Sequence, residues 1–475
     1  MTELGNTAVA LRPARLALPN PKIATPAGEM FGFVLFLPIL MAVAVWNGFP
    51  IIFYDTGAYM LQGLGHVFVA ERSPIYSAFL AITGGASSLW FVAIAQSLIV
   101  AFVMVEFARM VRPELRLLPF LGIGAVLCVA TGLPWYATQI EPDCFVALVP
   151  MIFYLLAFHG ERLGRTRRIL LFFAAVTAIA CHSSHIALAA GLLAVLAAMR
   201  FAPLDYVEVL GLKRPRVAVA ALSLAMAMVA VYAANYAFTG KLFFSRSGAI
   251  FLEARIMEDG LIEPVLDADC PGAGYQLCRY KDRLPSRADT WLWMEHASPF
   301  KKVGGFEKRE PESARLVRES LTRYPIENAV VALQDAILQF FWFQTGDGIV
   351  PQEWVLNREF QIAIPHQMSA YTRAYQQAGE IWFVPINIVH VPAAVLSLLA
   401  LGWLLREAWR RRDAAAAFLP GFTILALAGN AFICGVFSGP HGRYQSRIMW
   451  LAAFTVLLIA WPEIERWWRA RRAAG

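Results

Sequence analysis

Long apolar runs alternate with short, mostly basic connections along this chain. A helix that crosses the hydrocarbon core of a bilayer needs about 20 predominantly apolar residues. Ten runs approach that requirement: 31–50, 89–110, 117–134, 144–159, 169–182, 185–200, 216–238, 383–405, 415–437 and 447–462. The stretch 74–88 is also apolar, but Pro74, Gly84 and Gly85 suit a surface or re-entrant segment better than a span. The pattern predicts an all-α polytopic membrane protein of about ten transmembrane helices.

Two segments break the alternation. Residues 51–88 are too apolar for a free loop and too polar to span, and aromatics beside charges predict helices lying in the interface. Residues 239–382 are long and polar enough for an extramembrane domain. Within them, 311–343 reads as helical, with apolar positions at helical spacing after Pro325. The expected organisation is a tail 1–30, a membrane module 31–238 with the interfacial outer loop 51–88, a mostly helical extracytoplasmic domain 239–382 inserted before the last spans 383–462, and a tail 463–475. No internal repeat is visible, which gives an inverted-repeat transporter no support.

Composition agrees with the pattern. The 475 residues are 58% apolar and 16% charged, where soluble domains carry about 25% charged residues. Disorder, collagen and a disulfide-rich scaffold are excluded. The net charge of +7 sorts by side of the membrane. With the N-terminus inside, the inside segments hold Arg12, Arg15 and Lys22; Arg109, Arg112 and Arg116; Arg162, Arg165, Arg167 and Arg168; Arg200, Lys213, Arg214 and Arg216; Arg406, Arg410, Arg411 and Arg412; and Arg466, Arg469, Arg471 and Arg472. The short outside loops hold Arg72, Arg443 and Arg447. This bias predicts N-in and C-in; the long 239–382 segment does not vote. The first thirty residues lack the apolar core of a secretory signal. Orientation and anionic lipid account for the basic balance, so no nucleic-acid partner is expected.

Ionisable groups at the outer face or inside spans are costly unless they meet a cavity or a partner. Asp55, just after span one, either caps an interfacial helix or acts as a general base or metal ligand in a cleft. Glu141 and Asp143 flank Pro142 between spans three and four. They read either as a solvated charge and a helix cap, or as a carboxylate pair for an acceptor or a divalent cation beside Asp55. His182 and His185 read as satisfied interfacial histidines, as donors to a phosphate, or as metal ligands. His441, Arg443 and Arg447 precede the last span. The two arginines, four apart, either pair with acids of the large domain or clamp a phosphate, which their planar fork suits. Arg72 is a similar outside cation. Cys270 and Cys278, in CPGAGYQLC, are expected to pair in an oxidising compartment; no second Cys or His pair follows at zinc-ligand spacing. No P-loop, GxGxxG after a strand, GxSxG or CxxC pair is present.

The run Asp55-Thr56-Gly57-Ala58-Tyr59, followed by Arg72-Ser73-Pro74-Ile75-Tyr76, resembles the first outer loop of the GT-C superfamily. These are polytopic glycosyltransferases that use polyprenyl-phosphate sugars, including protein mannosyltransferases and aminoarabinose transferases. Pro142-Asp143 is similar to the family's second acid. The resemblance implies a GT-C-like fold in a bacterial inner (cytoplasmic) membrane, with the active site facing the periplasm. It implies a sugar moved from a lipid-phosphate donor to a glycan, lipid or protein acceptor. Asp55, Asp143 and Glu141 become the catalytic acids. Arg72, Arg443, Arg447, His182, His185 and His441 become the donor-phosphate site, and Tyr59 and Tyr76 become substrate contacts. A divalent cation is left open, because Asp55 has no adjacent acidic partner. A transporter or flippase of a lipid-linked or anionic solute is the alternative. It should place ionisable groups near the bilayer midplane. An assembly protein would leave Asp55 and the arginine pair without a role.

Overall fold

The computed structural model describes residues 20–202 and 214–474. Arg12, Arg15 and Lys213, which count toward the expected inside charge, lie outside the described residues. The chain is an all-α, polytopic membrane protein; among the described residues no strand forms. Among the described residues, seven helices are long and apolar enough to cross a membrane: Pro26–Asn47, Leu89–Val111, Ser183–Phe201, Ala218–Thr239, Phe383–Arg410, Ala414–Ser438 and the last helix, which starts at Gly442.

Two expected spans are shorter than drawn, and a third is shifted toward its N-terminus. The run 117–134 divides into helices Leu117–Ala130 and Leu133–Thr138, because Thr131 leaves helical geometry and is followed by Gly132. The run 144–159 starts as a 3-10 turn, Pro142–Phe145, before helix Leu148–Phe158. Helix Arg165–Ala180 spends its first turn on three arginines. All three still travel between the same two ends of the bundle. At one end, Leu117 N–H bonds the Pro21 carbonyl, and Arg112 caps the Leu458 and Ile459 carbonyls. At the other, Ile51 N–H bonds the Thr138 carbonyl.

The segment 51–88 forms two short helices, Thr56–Leu64 and Pro74–Ile82. They press tightly on their neighbours. A Cβ at Gly57 would come within 2.5 Å of Leu356, and one at Gly63 within 2.3 Å of the Ser77 carbonyl. Close approach of this kind is available to glycine alone. Ser73 caps the second helix at Ile75 N–H, with Pro74 at its first position.

The 239–382 segment divides in two. Helices Gly248–Glu258 and Glu310–Arg323, with the shorter turns between them, close a core of their own around Ile250, Leu266, Leu277, Trp291 and Phe300. Two features pin this outer module together. Arg309 and Glu253 pair with no side-chain exposure and Ser313 joins them; Cys270 and Cys278 are joined by a disulfide. From Pro325 onward the segment belongs to the bundle. Helix Pro325–Phe341 packs along Ala414–Ser438, where a Cβ at Gly435 would meet the Asp335 carbonyl at 2.7 Å. Phe343, Leu356, Phe360 and Tyr371 enter the membrane module's core. The domain expected over 239–382 is therefore shorter. Several of the apolar positions that recur after Pro325, Ile326, Val330, Leu333 and Ile337, are exposed, while Asp335 and Gln339 are buried.

The module meets the bundle through Arg255, which binds Asp335, Glu258 and Asp259. Three carboxylates thus share one guanidinium. Burial, opposed by Arg255 and reinforced by the like charges of Asp335 and Glu258, pushes the Asp259 carboxyl up to about 7. A carboxyl raised on folding holds its proton more tightly in the folded state, so stability falls as pH climbs from the ordinary carboxylate value toward that point. Thermal unfolding of the full chain in detergent should begin at a higher temperature at pH 5 than at pH 7.5, and Asp259→Asn should flatten the slope. A slope of opposite sign would remove Asp259 from this role.

Candidate functional site

Segments far apart in sequence meet at the end of the bundle beneath the outer module. Residues 51–56 and 138–141 run side by side, with Ile51 bridged to Gln139. Thr56 Oγ1 accepts from Phe53 N–H and donates to the Ile140 carbonyl. Gln376 clamps the same strip, bonding both the N–H and the carbonyl of Ile52. This frame sets Asp55 within electrostatic reach of Glu141.

Asp55 sits at the N-terminal edge of Thr56–Leu64 but makes no side-chain cap bond. It pairs instead with Arg72; their side chains are 15% and 13% exposed. Arg72 also faces the ring of Trp293, at 5.5 Å, so the outer module covers it.

Glu141 and Asp143 are both buried. Arg443 donates to Glu141 at 3.3 Å and lies 4.0 Å from Asp143. Its guanidinium stacks on Phe53 at 4.1 Å and on Tyr444 at 4.7 Å. Burial, then the like charge of Asp143, drive the Glu141 carboxyl well above its ordinary value against the pull of Arg443. Asp143 keeps its charge company with Arg447, which is wholly buried and also reaches Ser184, Asn430 and Cys434. Among the described residues, Asp143 Oδ2 is buried without a hydrogen-bond partner.

The expected donor-phosphate residues divide by depth. Arg443 retains 15% of its side-chain surface and Arg447 none, so Arg447 is a foundation for Asp143 and not a surface for phosphate. His182 accepts from Ser184 N–H as a helix cap. His185 is fully buried, with Nδ1 at 2.8 Å from the Ala178 carbonyl. The two rings lie 5.3 Å apart behind Arg447. His441 lies between other acids, 3.6 Å from Asp289 of the module and 3.5 Å from Asp347. Tyr59 and Tyr76 are buried and pack edge-on at 4.7 Å. They present no surface to a substrate and instead stiffen the contact between the two interfacial helices.

Among the described residues no three His, Cys, Asp or Glu side chains gather as a metal-ligand set. Glu141 and Asp143, the expected cation pair, are each taken up by arginine. Sequence reasoning missed Thr56, Gln376, Ser184 and Tyr444. Their only signal is a polar atom inside an apolar stretch, which alone does not name its partner.

The site is thus a compact, nearly charge-balanced set of acids and arginines, drawn from four separate parts of the chain and roofed by Trp293. No family model, curated protein or solved structure matches this chain.

Proposed function

We propose that the chain is a membrane glycosyltransferase of the GT-C kind. It moves a sugar from a polyprenyl-phosphate donor to an acceptor at the Arg443 end of the bundle, which faces the periplasm. The carrying observation is the convergence of Asp55–Arg72 with Glu141, Asp143, Arg443 and Arg447 in one cluster. Partly exposed Arg443 binds the donor phosphate, helped by Arg72. Fixed positive charge there lowers the barrier as negative charge builds on the leaving group. Asp55 orients the acceptor and takes its proton as the acceptor–sugar bond forms and the sugar–phosphate bond breaks. Glu141, protonated, donates to the donor or to the departing lipid phosphate. Asp143 and Arg447 hold Arg443 in place.

The test is transfer of labelled sugar from a panel of polyprenyl-phosphate sugars by the purified chain in proteoliposomes. Wild type transfers. Arg443→Ala raises the apparent KM for donor by roughly tenfold or more, the worth of a charge-assisted hydrogen bond, and leaves the acceptor KM near its starting value. An effect confined to the acceptor removes Arg443 from the phosphate site. Solute flux without transfer from any donor would move the chain to the transporters.

A further inference from the structure

At the opposite end of the bundle lies a second charged group with an apolar groove beside it. Glu106, with no side-chain exposure, accepts from Arg109 at 2.8 Å and from Arg167. Arg167 also binds Glu29. Two acids and two arginines make the group neutral overall. Arg167 and Glu29 remain 29% and 23% exposed, and both open onto a cavity of about 400 Å³ walled by Met30, Phe33, Phe102 and Val105. The reaction proposed above leaves this site without a role.

We propose that this groove holds one phospholipid with a primary-ammonium headgroup, its phosphate on Arg167, its ammonium on Glu29 and an acyl chain along the apolar wall. Three observations select this occupant. The wall is apolar and lies between two long apolar helices, Pro26–Asn47 and Leu89–Val111, so a chain can enter from the bilayer. The mouth presents one cation and one anion side by side, which complements a zwitterion; an anionic headgroup would leave Glu29 facing like charge. Two of Arg167's five N–H donors are committed to carboxylates, and the rest of the fork suits phosphate oxygens. A carboxylate accepts hydrogen bonds from a primary ammonium, whereas a quaternary one has none to give.

Native mass spectrometry of the full chain in mild detergent, titrated with phosphatidylethanolamine, phosphatidylglycerol and phosphatidylcholine of matched acyl chains, tests this. One equivalent of the ethanolamine lipid should be held at concentrations roughly tenfold below those needed for the other two. Glu29→Gln, which still hydrogen-bonds Arg167, should erase the preference over choline. Arg167→Ala should weaken retention of the ethanolamine lipid by a similar factor. Met30→Trp, at an exposed position on the groove, should block loading without touching the ion pairs, which keeps the proposal testable if an arginine variant does not fold. Equal retention of all three lipids, choline binding preferred through Phe33 and Phe102, or unchanged loading in Met30→Trp would each overturn it.

Discussion

Asp55→Asn is expected to lower sugar transfer by roughly 10²–10⁴-fold in kcat, the usual worth of a positioned general base, while the protein stays folded and inserted. Asn keeps the shape of Asp and still accepts a hydrogen bond from Arg72, so the frame around Thr56 and Ile140 is preserved. The pair is largely covered, at 15% and 13% side-chain exposure, and Asn fills the volume of Asp without opening a cavity beside Arg72. The loss should therefore be catalytic and not structural. Two measurements separate the roles: kcat with saturating donor, and the thermal unfolding midpoint in detergent. Near-normal transfer would end the assignment of Asp55 as base. A collapse in stability would make Asp55 an anchor for Arg72 alone.

Arg447→Ala has the second large effect, on the fold. Arg447 is wholly buried against Asp143. Removing one partner leaves an uncompensated buried charge, which costs about 3–5 kcal/mol. The variant should unfold at markedly lower temperature or denaturant. Asp143→Asn combined with Arg447→Met should recover part of the loss, because an apolar replacement avoids desolvating either ion. Equal stability of Arg447→Ala and wild type would show that Asp143 draws its support elsewhere. The same variant should also loosen Arg443, since both arginines lean on Tyr444 and Asp143.

Much of this arrangement is legible in the sequence because membranes punish misplaced charge. The apolar runs mark the helices, and the rarity of basic residues in the short loops at one end of the bundle singles out Arg72, Arg443 and Arg447. What the sequence leaves open is partnership. Nothing local says that Arg447 is a buried support while Arg443, one turn earlier, stays partly open; the difference comes from Asn430, Cys434 and Ser184 packing around one and not the other. His441 looked like a phosphate ligand because it neighbours Arg443, yet Asp289 arrives from a module 150 residues earlier to claim it. The domain boundary is similarly hidden. Helix Pro325–Phe341 has a polar enough face to read as soluble, but Asp335 and Gln339 on that face are buried against Arg255 and His441.

The shortness of Leu117–Ala130 has a consequence for where the acids come to lie. Fourteen residues rise about 21 Å as an α-helix, against a hydrocarbon core of about 30 Å. Leu133–Thr138 makes up the missing length beyond the break, and every residue of it is buried. The chain therefore turns inward before the end of the bundle and delivers Glu141 and Asp143 to the interior instead of to an exposed loop. In the proposed transfer reaction, a donor phosphate meets the partly open Arg443 before either acid.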